Sequence, residues 1–165
     1  MKKVKLLLIT ILVAKLGFAQ SGATKVRVVL EQFTGAWGGF CPDSEVIMED
    51  IISQYPDYVI GISIHESDGM EFNSGISSEF DVTGYPSGMV DRKEFSGEYG
   101  EVVYRDSWEA YVEERLSRYT PAEVDLTLTY NSTTRTITGT VTAEFIDSAN
   151  GDMRFVMEVI EDNVT

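Results

Sequence analysis

The chain has 165 residues, with 13 Lys and Arg against 27 Asp and Glu, for a net charge of −14. A surface that acidic repels nucleic-acid phosphates and anionic lipid, which excludes polyanion binding as a function class. Its one cysteine, Cys41, allows no intramolecular disulfide, and its one histidine, His65, excludes catalytic triads and multi-histidine metal sites.

Residues 1–19 have the three parts of a cleaved export signal. Lys2, Lys3 and Lys5 form a basic start, Leu6 to Leu16 a short apolar stretch broken by Thr10 and Lys15, and Gly17-Phe18-Ala19 a small-residue cleavage site before Gln20. The apolar part is short for a membrane span, and no later stretch is long enough for one. The segment holds four lysines and no acid, so its removal takes the charge from −14 to −18.

The β-branched run Val26 to Leu30 reads as a buried strand. A Gly-rich loop follows from Phe33 to Pro42. Residues 43–55 read as a helix, with Ile47, Met48, Ile51, Ile52 and Tyr55 on one face and Glu45, Glu49 and Asp50 away from it. Tyr58 to Ile64 is near-continuously apolar, as in a central strand covered on both faces. Residues 66–84 are polar, with one short helix expected near Ser77 to Phe80. Pro86 to Arg92 reads as a third strand, residues 93–103 as a short edge strand and turn, and Arg105 to Tyr119 as a helix ended by Pro121.

The pattern then changes. Val124, Leu126, Leu128 and Tyr130 alternate with polar residues, as do Ile137, Val141, Ala143 and Phe145, and then Met153, Phe155, Met157 and Val159. The turns between them are Asn131-Ser132-Thr133, which has the form of a glycosylation sequon, and Asn150-Gly151. Three amphipathic strands in succession indicate an antiparallel meander, as at the start of a β-sandwich. We therefore expect an α/β domain over 20–121 and the first strands of a β-sandwich over 122–165. Three strands cannot close a sandwich, so the second part is expected to continue beyond this sequence or to be completed by a partner.

Strand, Gly-rich loop, helix and strand, with Trp37-Gly38-Gly39-Phe40-Cys41-Pro42 in the loop and Tyr85-Pro86-Ser87 downstream, resemble the thioredoxin fold. There the loop carries Trp-Cys-x-x-Cys at a helix N-terminus, and a cis-proline faces it. The resemblance narrows over residues 26–162. Glu31-Gln32-Phe33-Thr34-Gly35-Ala36-Trp37, Cys41-Pro42, Ser63-Ile64-His65, Gly84-Tyr85-Pro86, Met89-Val90-Asp91-Arg92 and Val159-Ile160-Glu161-Asp162 resemble the Omp28-related outer membrane protein family of Bacteroidetes. That resemblance implies a thioredoxin-like domain, an Ig-like β-domain and a place in the periplasm or at the outer membrane. It supplies no defined activity. Family members often carry Trp-Cys-x-x-Cys-Pro, whereas here the first cysteine position is Gly38.

Thiol–disulfide exchange starts with attack by an exposed thiolate, which in Cys-x-x-Cys proteins is the first cysteine, favoured by the helix N-terminus. Gly38 removes that atom and is tolerable as a helix N-cap. Cys41, the one candidate catalytic residue, is left as a resolving thiol with nothing to resolve: a buried remnant first, a redox-sensitive thiol second, a metal ligand last. A groove of Trp37, Gly38, Cys41, Pro42, Tyr85 and Pro86 remains for an extended peptide or an envelope protein, bound by β-type hydrogen bonds. His65 is read as a hydrogen-bonded side chain, with thiol activation as the rival role. Glu66, Asp68 and Glu71 lack the ligand spacing of a Ca²⁺ loop. The expected function is that of an exported, redox-inactive binding or scaffold protein of the cell envelope, without cofactor or metal. The alternative is a degenerate oxidoreductase working through Cys41 alone. An outer-membrane pore is rejected, since the strands are too few and lack lipid-facing aromatic girdles.

Overall fold

The computed structural model describes residues 25–72, 75–149 and 154–161. The signal segment, the Asn150-Gly151 turn, Met153 and Asp162 lie outside the described residues. The first sheet has three strands, with the first in chain order at its centre. Its central strand β1 (Val28–Thr34) runs parallel to β2 (Val59–His65) and antiparallel to β3 (Ser87–Val90). Between β1 and β2 lies helix α1 (Cys41–Gln54), and between β2 and β3 the single turn α2 (Ile76–Glu79). A 3-10 turn at Arg105–Ser107 leads into α3 (Trp108–Leu116).

The register explains the core. Side chains alternate across a strand, so Val28, Leu30 and Gln32 share one face of β1, beside Val59 and Gly61 of β2 and Val90 of β3. Met48 and Ile51 of α1, with Trp108 and Val112 of α3, complete the core on that face. Each of these apolar side chains, fully buried, contributes about 1.5–3 kcal/mol of transfer free energy. Two glycines let the helices approach. A Cβ on Gly88 would stand 2.8 Å from the Trp108 ring and 2.6 Å from the Glu31 carbonyl oxygen, and one on Gly61 would stand 2.6 Å from Ile52.

Several expected boundaries move. The first strand starts two residues later and continues through Glu31 and Gln32 to Thr34: Arg92 pairs with the Glu31 carboxylate, and Gln32 Nε2 donates to Glu45 at 3.4 Å while its buried Oε1 has no partner among the described residues. The helix starts at Cys41, with Phe40 as its cap residue, so Gly38 is not the N-cap. Instead the Gly38 carbonyl accepts the Cys41 N–H at 3.1 Å. Between residues 93 and 103 the edge strand reduces to an isolated bridge of Val103 to Gly88.

The second sheet is a hairpin of β4 (Ala122–Asn131) and β5 (Thr136–Phe145). Asn131 Oδ1 accepts the N–H groups of Thr133 and Thr134, which closes the turn. Val124, Leu126, Leu128 and Tyr130 lie opposite Ala143, Val141, Gly139 and Ile137, so one face of the hairpin is apolar while the other carries Thr, Glu, Asp and Asn. Of the third expected strand, the described residues 154–161 carry no ladder. Side chains hold this segment instead. Met157 packs 3.3 Å from where a Gly139 Cβ would stand, and Glu158 pairs with Arg92.

Candidate functional site

Three chain segments meet around the end of β1. The first is the loop 35–40, tightened by a Gly38 N–H bond to the Gly35 carbonyl at 3.0 Å. Gly35 has no side chain for a steric reason: its Cβ would stand 2.5 Å from Trp37 Nε1 and 2.9 Å from the Glu66 carbonyl oxygen. The Trp37 indole occupies that space and donates its N–H to Glu66 O at 2.7 Å. The second segment is Tyr85-Pro86, whose peptide bond is cis. Tyr85 meets Trp37 edge to face, with ring centroids 5.5 Å apart and planes at 72°. Burial pushes the Tyr85 phenol pKa up, and the nearby Glu66 and Glu71 carboxylates add to this.

The third segment is the turn after β2, and it holds a residue the sequence does not single out for this role. Asp68 Oδ2 accepts the Ala36 N–H at 2.8 Å and bonds His65 Nδ1 at 2.7 Å, while Oδ1 accepts the Met70 N–H at 2.8 Å. The His65 bond and then the Ala36 bond lower the Asp68 carboxyl to about 2, with the Met70 bond adding to this and burial opposing it. His65 is thereby committed to Asp68. Glu71 accepts the Ser67 N–H, and no three metal-ligating side chains gather among the described residues.

Cys41 opens α1 and is 5 % exposed. Its thiol has turned into the volume that a side chain at position 38 would occupy: a Cβ on Gly38 would stand 2.2 Å from Cys41 Sγ and 3.3 Å from its Cβ. The attacking atom is therefore absent, and the remaining thiol fills its place, closed off from a disulfide approaching from solvent. Trp37, at 54 % exposed, and Phe40, at 65 %, form the open rim, and Arg105 lies over the Phe40 ring at 5.7 Å.

Of the predicted site residues, Trp37 joins Tyr85, and Gly38 touches Cys41. Pro42 sits exposed in the first turn of α1, and Pro86 is buried at the start of β3. A cavity of about 250 Å³ is lined by Glu79, Asp81, Gly84, Ser87, Tyr99 and Tyr104 among others, and by no residue of 37–42. Trp37 is exposed, Tyr85 is half-buried against it and Cys41 is buried, and the shelf they form is not part of that cavity's lining.

A second cluster, also missed, stands behind the shelf. Glu31, 2 % exposed on β1, accepts two bonds from Arg92, at 3.1 and 2.8 Å from Nε, besides a short one from Nη2. These bonds, chiefly that with Glu31, hold the Arg92 pKa up against the effect of burial. Asp91 accepts the Val29 N–H at 2.8 Å and the Arg115 Nε–H at 2.6 Å. Asp91 and Arg92 both have positive φ, +52° and +46°, a turn that sends their side chains to opposite faces of the sheet.

A parallel β1–β2 pair, an antiparallel β3 introduced by a cis-proline and a motif helix starting at Cys41 settle the architecture. The fold is thioredoxin-like. An antiparallel β segment follows it. Among solved structures, HBP35 of Porphyromonas gingivalis is similar at 26 % sequence identity over 77 % of this chain, with a TM-score of 0.57. The match covers 45 % of that protein, so this chain spans under half its length. A malaria-parasite thioredoxin-2 is similar at 15 % identity, over 53 % of this chain and 82 % of that one, with a TM-score of 0.41. The Malassezia sympodialis thioredoxin is similar at 18 % identity, over 56 % and 78 %, also at 0.41. No protein-family model matches the sequence, and no curated protein matches it. No helix among the described residues is long and apolar enough to cross a membrane.

Proposed function

We propose that this chain is an exported, redox-inactive thioredoxin-like protein that serves as a binding or scaffold component of the cell envelope. Its thioredoxin-like part, residues 20–121, holds an extended peptide or envelope protein, and residues 122–165 begin an Ig-like domain. One observation carries the reading. Position 38 has no sulfur, and the Cys41 thiol lies in the space that a sulfur-bearing side chain would need. What remains on the surface is recognition chemistry: the exposed faces of Trp37 and Phe40, and Tyr85 against Trp37. Aromatic side chains that stay rigid while exposed suit an extended ligand. The export signal in residues 1–19, the resemblance to the Omp28-related family and the likeness to a Porphyromonas gingivalis protein support placement in the periplasm or at the outer membrane.

The reading is tested by reduction of insulin disulfides with dithiothreitol as the electron source. The expected rate equals the uncatalysed background. Turnover above background that disappears in Cys41→Ala would replace the binding reading with that of a monothiol oxidoreductase.

A further inference from the structure

We propose that two copies of this chain pair through the outer edge of β2, antiparallel and centred on Ile62, to form one six-stranded sheet. The backbone shows which groups are free. The Val28 N–H bonds the Tyr58 carbonyl at 2.7 Å, and the Glu66 N–H bonds the Thr34 carbonyl at 3.0 Å. Residues 58 and 66 thus turn their backbone groups toward β1, and by the alternation of a parallel ladder so do 60, 62 and 64. The N–H and C=O groups of Gly61, Ser63 and His65 point the other way, to the edge. Among the described residues β2 has β1 as its one strand neighbour and stands at the edge of the sheet.

Exposed edges are ordinarily guarded by Lys, Pro, a bulge or an inward charge. Val59-Ile60-Gly61-Ile62-Ser63-Ile64-His65 has none of these. A two-fold axis at Ile62 fits this strand. Ile62 would meet Ile62 of the second copy as a non-hydrogen-bonded pair, where side chains come closest. Gly61 and Ser63 of the second copy would exchange both backbone bonds, and the reciprocal pair would do the same. Ile60, 46 % exposed in the single chain, would cover Ile64 of the second copy.

The charges at the ends of the strand agree with this register. Tyr58 would lie opposite Glu66 of the second copy, and Lys25 already sits over the Tyr58 ring at 5.5 Å. Each Lys25 is thereby brought to a Glu66 carboxylate across the axis, twice per dimer, and no like charges face each other along the strand. The contact is isologous and closes on itself, so it yields a dimer and not a fibre.

Sedimentation of the purified protein from low to high micromolar concentration tests this. The expected result is a mass that rises from one chain to two. Ser63→Pro removes an outward N–H at a position where an edge strand tolerates proline, and should leave single chains at every concentration. Lys25→Glu should loosen the dimer by about tenfold, and Lys25→Glu with Glu66→Lys should restore it. A single chain throughout would overturn the proposal. So would a dimer indifferent to both Ser63→Pro and the charge reversal, which would assign the contact to another face. If Ser63→Pro does not fold, the loss and rescue by the charge pair decide alone.

Discussion

Asp68 fastens the end of the motif loop: its Oδ2 takes the Ala36 N–H at 2.8 Å from across the turn that follows β2. His65 bonds the same oxygen. Both bonds favour the ionised carboxylate, which is why its pKa falls to about 2 from an ordinary 3.8, with the His65 bond the largest cause. A carboxyl whose folded value lies below its unfolded one stabilises the fold fully above the unfolded value, and the contribution is lost as pH falls through the folded one. The Ala36 amide should therefore stay protected from hydrogen exchange down to about pH 4 and lose protection progressively toward pH 2. Asp68→Ala should expose it at every pH. Exchange at Ala36, read residue by residue, checks both.

Gly38→Cys should restore dithiol chemistry. A Cβ at position 38 would stand 3.3 Å from the Cys41 Cβ, just short of the roughly 3.5–4.5 Å of a disulfide, so a small opening of the loop suffices. The Cys41 sulfur must first rotate away, and it is the free end of a side chain. The variant should form a reversible 38–41 disulfide and reduce insulin above background. A folded variant that does neither would mean that the shelf around Trp37 no longer accepts a substrate disulfide.

Cys41 itself should be slow toward a thiol reagent such as Ellman's in the native protein and fast after denaturation, since it is 5 % exposed. Equal rates in the two states would show that the thiol swings out of the position-38 space.

The Arg92–Glu31 pair should be costly to break from one side. Arg92→Leu strands a carboxylate that is 2 % exposed, a loss of about 3 kcal/mol or more. Glu31→Leu with Arg92→Leu should recover much of it, because no buried charge is left. Urea denaturation of the two variants gives the comparison.

Gly88→Ala should destabilise by about 1–3 kcal/mol, since the added methyl meets backbone at Glu31 and the Trp108 ring, neither of which is a flexible end. Gly61→Ala, which meets the tips of Ile52 and Met48, should cost less. Thermal melts of both rank the two contacts.

The order of elements was legible because apolar spacing is a local signal: Met48 and Ile51 mark α1, and Val59 to Ile64 mark β2. The thioredoxin resemblance groups Trp37, Cys41 and Tyr85-Pro86, and the structure brings Trp37 against Tyr85. What was not legible depends on partners far away in sequence. Glu31 reads as a break in a strand until Arg92, 61 residues later, is seen to hold it. Asp68 reads as a loop acid until Ala36 is found on it. The third strand of the β part was expected from the alternation of Phe155, Met157 and Val159, yet side-chain contacts with Gly139 and Arg92 place that segment without a ladder. Alternation reports which faces can be buried and leaves the hydrogen-bond partner unspecified.

The empty position at residue 38 has a consequence for anything that settles beside Trp37 and Tyr85. A redox-active site ties its guest down covalently and releases it chemically changed, at a rate set by the redox poise around it. Position 38 offers no sulfur to form that bond, and the Cys41 thiol is only 5 % exposed. On the redox-inactive binding function proposed above, a guest would leave with its own disulfides as they were, and occupancy would follow concentration and affinity alone, the same in an oxidising compartment as in a reducing one.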